Sequence, residues 1–116
     1  MPSDTMQRVL IRSGYDFLRG FEMLLNGRRE SVLGATIYAS LVSEDKSAEL
    51  ITDKAQSSTA SGADWANGIV TIEFAAADTS ALTPQNCWIE LAVTMSGKRL
   101  PYDHIPARIE KGWTTT

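Results

Sequence analysis

A period-two pattern of side chains in two short segments constrains the fold of this chain more than any other feature. Residues 69–74 (IVTIEF) and 87–95 (CWIELAVTM) both show it. Because successive side chains of a β-strand point to opposite faces, each segment is expected to bury one face and expose the other. The pattern predicts two strands that anchor a core, faced by a third strand. The predicted core residues are Val70, Ile72, Phe74, Ile89, Leu91, Val93, Ile37 and Leu41.

Other short segments with strand-like patterns precede and follow these two. They are residues 6–11, 16–25, 37–42, 48–55 and 99–110. The apolar residues of 16–25 also fit helical spacing, but Gly20 inside so short a helix would cost about 1 kcal/mol relative to Ala, which favours a strand. Seven or so short strands, separated by turns, predict an all-β fold, an antiparallel two-sheet β-sandwich of about seven strands.

Local signals refine this outline. Asn26-Gly27 predicts a tight turn, because both residues tolerate positive φ. Residues 56–64 are polar and small, which predicts an exposed loop. Asp78 is expected to be the N-cap of one helical turn. Because proline cannot donate to a ladder, Pro101 and Pro106 predict that the last strand lies at a sheet edge or is broken.

Length and composition limit the classes of protein that this chain can be. A chain of 116 residues fits one domain over 1–116, with residues 1–5 and 112–116 expected to be loose tails. The net charge of −3 gives no electrostatic case for nucleic-acid binding. The single cysteine, Cys87, excludes an internal disulfide and a cysteine-based zinc site. With no signal-peptide pattern and no apolar run near the roughly 20 residues of a membrane helix, we expect a protein made in a cytosol that does not bind membranes.

Three segments resemble a family of small phage and prophage proteins associated with tails and baseplates. They are residues 16–27, residues 32–36 (VLGAT), and the run that joins 68–72 (GIVTI) through 77–82 (ADTSAL) to the turn at Ser96-Gly97. Pro84 follows the family pattern, whereas residues 86–88 (NCW) replace its usual Gly-Xaa-Tyr. The resemblance spans residues 14–110 and extends to the N-terminal domain of baseplate upper proteins. It implies an immunoglobulin-like sandwich with a structural or assembly role in the virion, and no catalytic residues to carry over.

Catalytic and metal-binding patterns are weak in this sequence. His104 is the only histidine, and no Gly-Xaa-Ser-Xaa-Gly motif accompanies it, so a packed or exposed histidine is expected rather than a catalytic one. The acidic residues with oxygen ligands for calcium lack the spacing of a calcium loop. They are Glu44, Asp45, Glu49, Asp53 and Asp64. We therefore predict a protein that is not an enzyme and has no cofactor and no metal site.

Three tryptophans are the candidate binding residues: Trp65, Trp88 and Trp113. In an assembly protein, exposed aromatic rings act as interface anchors, and in a carbohydrate-binding module they stack against sugars. Packing in the core or at a sheet edge is the third interpretation for Trp65 and Trp88. The parity of Trp88, opposite to Ile89 and Leu91, predicts that it faces outward or covers the second face of its sheet.

The distribution of charge suggests partners. Residues 31–97 carry a net charge of −6 and the two ends together carry +3. Opposite potentials steer association, so the acidic middle of one copy could meet the basic ends of another. We expect binding to other tail or baseplate proteins, possible homo-oligomers, and a location in the virion after synthesis in the bacterial host cytoplasm.

Overall fold

The computed structural model of this protein describes residues 7–25, 28–29, 31–95 and 97–112. In these residues the chain forms nine β-strands, one 3-10 turn and one short helical turn. The elements are β1 (Val9–Arg12), β2 (Phe17–Glu22), β3 (Leu24–Leu25), β4 (Arg28–Arg29), β5 (Thr36–Ser43), β6 (Glu49–Ala55), the 3-10 turn (Trp65–Asn67), β7 (Ile69–Phe74), α1 (Ala76–Thr79), β8 (Gln85–Met95) and β9 (Lys98–Glu110). The segment 16–25 is thus extended, as predicted, and not helical.

The strands form a β-sandwich, which confirms the predicted fold class. A five-stranded sheet has the order β1-β9-β8-β5-β6, and a two-stranded sheet, β2-β7, forms the opposite layer. β3 and β4 form a separate short pair. All neighbours in the large sheet are antiparallel except β1 and β9, which run parallel. Two strands are longer than the sequence suggested, since β8 has 11 residues and β9 has 13.

The core lies between the two layers and contains the residues that the alternation selects. None of the eight predicted core side chains exposes more than 3% of its surface. Ile37, Ala39 and Leu41 of β5 stand opposite Val93, Leu91 and Ile89 of β8, so the inward side chains of both strands form one apolar layer. Full burial of such a side chain stabilises the fold by about 1.5–3 kcal/mol.

The position of β9 agrees only in part with the prediction for the last strand. Its first part, residues 98–106, has β8 on one side and, among the described residues, no strand on the other, and both prolines lie there. Its last part, residues 107–110, is paired on its other side by β1, so the strand is interior at that end. The edge assignment is therefore correct for the part with prolines and wrong for the end. Parallel pairing between the two termini leaves no local signal in the sequence.

The helical turn begins earlier than predicted, and Asp78 does not cap it. α1 starts at Ala76, with Ala75 in the N-cap position. The amide of Ala76 donates instead to Oδ1 of Asp16 at 2.6 Å, so a residue far away in the chain satisfies this end of the helix. Asp78 forms an ion pair with Lys54 at 3.0 Å.

Buried polar side chains join the elements of the sandwich. Thr79 is fully buried, and its hydroxyl accepts from the amide of Gly14 at 3.0 Å and donates to the carbonyl of Tyr15 at 2.9 Å. Gln56, which was expected to begin an exposed loop, is only 9% exposed. Its backbone amide bonds Ile37 of the large sheet, and its side chain bonds Glu73 of the small sheet.

Some predicted features lie outside the described residues. These are the turn at Asn26-Gly27, Ser96 of the second turn, and the tail residues 1–5 and 113–116. Within the part of the chain that the structure describes, no helix has the length and apolar character needed to cross a membrane.

Candidate interaction surface

The outer face of the five-stranded sheet carries an apolar row that crosses three strands. Val42 of β5, Trp88 of β8 and Pro106 of β9 stand side by side in the ladder. Val42 is buried although it does not belong to the main core, and Trp88 is half-buried. Trp88 therefore faces away from the core, as its parity predicted, and covers part of the sheet's second face.

The indole of Trp88 is held by contacts on several sides. Its Nε1 donates to the carbonyl oxygen of Glu44 at 3.0 Å. The Arg8 guanidinium and the Lys46 ammonium lie 5.8 Å and 5.4 Å from the ring centroid, within the range of cation–π attraction. The imidazole of His104 lies 4.8 Å from it, tilted by 45°. These contacts hold the ring in one orientation.

Charged side chains surround the apolar row and are paired with one another. Arg8 and Glu44 approach to 3.2 Å, and Lys46 and Glu90 to 3.3 Å. Nζ of Lys46 also lies 3.1 Å from Nδ1 of His104. Lys46 and Glu90 remain about two-fifths exposed. We call these residues together the Trp88 surface. Its apolar centre is Val42, Trp88 and Pro106, and its polar and charged rim is Arg8, Glu44, Lys46, Glu90 and His104.

Arg8 connects this surface to the backbone of the sheet. Its Nη1 lies 3.4 Å from the carbonyl oxygen of Cys87 and 3.2 Å from that of Ala107, which belong to adjacent strands. The side chain is only 13% exposed. A partly buried, hydrogen-bonded arginine next to a tryptophan has the composition of many interface hot spots.

A groove of about 480 Å³ opens beside the Trp88 surface. It lies between the turn of residues 43–48, Leu50 and the start of β8, and Glu44 belongs to both features. Asp45 lines it, and hydrogen bonds from Ser47 and Ser43 lower the pKa of the Asp45 carboxyl from 3.8 to about 2. The Asp45 carboxyl is ionised at neutral pH, and its lowered pKa keeps it ionised in mildly acidic solution as well.

The other two predicted tryptophans do not contribute to this surface. Trp65 is 6% exposed and belongs to the hydrophobic core, where it begins the 3-10 turn. Its ring is thus not available to a ligand, which agrees with the packing interpretation and not with stacking. Trp113 lies outside the described residues.

The other polar residues considered in the sequence contact neighbouring side chains of the fold. His104 contacts Trp88 and Lys46. Asp53 accepts a hydrogen bond from the hydroxyl of Ser40 at 3.0 Å. Among the described residues, no group of three or more His, Cys, Asp and Glu side chains is placed to hold a metal ion. Cys87 is fully buried, and loss of solvation raises the pKa of its thiol from 9.0 to about 11.

Sequence reasoning identified Trp88 but missed the side chains around it. Arg8, the turn that carries Glu44 and Lys46, and His104 come from three separate parts of the chain, and only the order of the sheet brings them together. No spacing in the sequence encodes that contact. Val42 shares its face of β5 with Thr36, Tyr38 and Ser40. This single aliphatic residue was the one local signal in β5 for a second apolar patch.

Comparison with known proteins finds a solved domain with a similar fold. A solved structure with a similar fold is the N-terminal domain of phage TP901-1 ORF48, with a TM-score of 0.54 and 10% sequence identity. The match covers 97% of this chain and 90% of the phage domain. The two chains share a fold. No family model matches the sequence, and no curated protein matches it either.

Proposed function

We propose that this chain is a structural protein of a phage or prophage particle, a tail- or baseplate-associated assembly or adaptor domain. The observation that carries the proposal is the fold shared with the N-terminal domain of a phage protein over nearly the full length of both chains. The sequence resemblance to the immunoglobulin-like N-terminal domain of baseplate upper proteins gives the more specific assignment to a baseplate. In this account the chain is made in the bacterial host cytoplasm and then enters the virion.

The Trp88 surface is the proposed docking site for another virion protein. Protein interfaces combine an apolar centre with a polar rim, and Trp and Arg are enriched among the residues that dominate binding energy. Val42, Trp88 and Pro106 supply the centre, and the paired charges supply the rim. The acidic groove next to it fits a partner with a basic side chain. Attraction between the opposite charges would position that side chain in the groove.

The proposal includes the absence of enzymatic activity. His104 contacts Trp88 and Lys46, Cys87 is buried with a raised thiol pKa, and Asp45 is held by serine hydroxyls. None of these arrangements pairs a nucleophile with a base. Turnover assays on polysaccharide and peptide substrates are expected to give no product above that of a heat-denatured sample.

No observation favours the carbohydrate-binding alternative over assembly. A sugar platform needs open aromatic faces. Trp65 is buried, and the ring of Trp88 has a cation or an imidazole near it on several sides. A glycan array is therefore expected to be silent.

Incorporation of variants into particles tests the docking site. Phage particles are assembled in cells that supply Trp88→Ala or Lys46→Glu in place of the wild-type chain, and the content of each variant is measured by mass spectrometry. We expect both variants to be depleted, because one removes the apolar centre and the other reverses a charge on the rim. Lys111→Glu makes the same change of charge at an exposed residue away from the Trp88 surface and serves as the matched control.

Thermal unfolding of each purified variant separates a docking defect from a folding defect. Lys46 is well exposed, so Lys46→Glu is expected to keep the wild-type midpoint to within a few degrees. Wild-type levels of both Trp88→Ala and Lys46→Glu in the particles would contradict the assignment of the Trp88 surface. Absence of the wild-type chain itself from particles would contradict the structural role.

A further inference from the structure

Most edges of the two sheets carry a feature that hinders the addition of a strand. In β6, the register is irregular and Asp53 adopts a positive φ of 41°. Residues 98–106 of β9 include two prolines, which lack an N–H group. On β7, the side away from β2 is bonded at Ile69 by Asp64 and at Glu73 by Gln56. β1 is only four residues long.

β2 is the exception, because a row of its backbone groups points away from β7. The amide of Met23 donates to the carbonyl of Gly68 at 2.7 Å, in continuation of the β2–β7 register. Hydrogen-bonded and non-bonded pairs alternate along an antiparallel ladder. The residues at the parity of Met23, such as Phe21, therefore bond β7. The residues between them point their N–H and C=O groups outward: Leu18, Gly20 and Glu22.

This edge is accessible in the described structure. No strand lies beside β2 on that side among the described residues. A side chain built at Gly20 would meet no atom within 4 Å, and Leu18 is 46% exposed. Arg19 shares the inward parity of Phe17 and Phe21, yet it is exposed. In an edge strand, an inward side chain stays exposed when no neighbouring strand covers it, and Arg19 is such a side chain.

We infer that β2 of a second copy of this chain occupies this edge, in antiparallel orientation, with Gly20 on the two-fold axis. The outward groups are symmetric about Gly20, so two copies present the same pattern to each other. Gly20 of one copy pairs with Gly20 of the other, and Leu18 pairs with Glu22. The contact continues the small sheet across both molecules.

The side chains fit this register. Arg19 stands opposite Phe21 of the second copy on the inward face, where the half-buried ring can cover the arginine stem and face its guanidinium. No two like charges stand opposite each other, since Glu22 faces Leu18 and Arg19 faces Phe21. A parallel arrangement in register would instead align Arg19 with Arg19 and Glu22 with Glu22, which repel.

Sedimentation equilibrium and amide hydrogen exchange test the inference together, using the full chain. Over a dilution series from about 1 mM to about 1 μM, the mass should fall from twice the chain mass to the chain mass. At the high concentration the amides of Leu18, Gly20 and Glu22 should gain protection of at least about tenfold, and lose it on dilution. The amides of Arg19 and Phe21, bonded within the chain, should stay protected at both concentrations.

Two lysine variants locate the contact. Gly20→Lys places two like charges next to the two-fold axis and should leave the chain monomeric throughout the series. Thr52→Lys adds the same charge at an exposed position of β6 and should associate like wild type. Leu18→Pro provides a second disruption, in case Gly20→Lys fails to fold. The N–H of Leu18 points away from β7, so the proline removes a donor that only the ladder between two copies would use.

Three results would overturn the inference. A wild-type chain that is monomeric at the highest concentration rules out the second copy as the occupant. Association that persists in both Gly20→Lys and Leu18→Pro places the contact elsewhere. Protection of the Gly20 amide only in assembled particles, and never in the isolated protein, assigns the edge to a different protein. None of these results bears on the Trp88 surface, from which this inference is independent.

Discussion

Replacement of Gln56 by Met should destabilise the sandwich, because this side chain bonds the two sheets together. The amide of Glu73 in β7 donates to Oε1 of Gln56 at 2.8 Å, and Nε2 of Gln56 donates to the carbonyl of Lys54 at 2.9 Å. A weaker contact at 3.4 Å joins the same Nε2 to the carbonyl of Glu73. Met is close to Gln in length and volume, so Gln56→Met removes these hydrogen bonds with little change in packing.

The expected loss follows from those contacts. Each of the two short hydrogen bonds contributes about 0.5–1.5 kcal/mol, and the long one contributes less. The amide of Glu73 also loses its partner at a site where Gln56 itself is almost fully buried. We expect the free energy of unfolding to fall by about 2–3 kcal/mol. For a domain of this size, that corresponds to a midpoint roughly 8–15 °C lower.

Urea and thermal unfolding, followed by circular dichroism, measure this difference. Gln85→Met is the matched control, because the Gln85 side chain bonds only the nearby Thr83. It should change the free energy of unfolding by less than about 0.5 kcal/mol. Equal midpoints for Gln56→Met and Gln85→Met would refute the reasoning that the amide of Gln56 holds the sheets together.

Three further predictions concern the core. Leu91→Ala should cost about 2–5 kcal/mol in urea unfolding because Leu91 is buried, whereas Met95→Ala, at an exposed position of the same strand, should cost far less; equal losses would contradict the core assignment. Thr79→Val keeps the side-chain shape but removes a buried hydroxyl, so it should cost about 1–3 kcal/mol, against little for the exposed Ser80→Ala, and equal midpoints would argue against the hydroxyl's role. Cys87 is buried with a thiol pKa raised to about 11, so a disulfide reagent at pH 8 should label it only after denaturation, and rapid labelling of the native protein would be the contrary result.

The alternation of side chains was sufficient to predict the fold class and the centre of the core. In β8 the residues of one parity from Cys87 to Val93 are buried and those of the other parity are not, so parity alone selected Ile89 correctly. Parity also selected Ile72 of β7, although Thr71 of the other parity is buried there as well. It could not predict the contacts made by polar side chains. Gln56 and Thr79 occur in segments of polar composition, and only their tertiary partners make them buried. The parallel pairing of β1 with β9 is equally invisible, because it joins the two ends of the chain.

The candidate surface was predictable at one residue only. Parity indicated correctly that Trp88 faces away from the core, but the contacts with Arg8, Lys46 and His104 depend on the order of strands in the sheet. Trp65 shows the opposite case. The sequence left open whether its ring is an exposed binding residue or is packed, and in the structure the ring lies in the core.

Immunogold electron microscopy of purified phage particles tests the structural role most directly. Particles are induced from the organism that encodes the chain and labelled with an antibody raised against the folded protein. A tail- or baseplate-associated protein predicts gold at the tail or its distal end. Particles without label, together with a chain that remains entirely in the soluble fraction of the lysed cells, would contradict the proposed function.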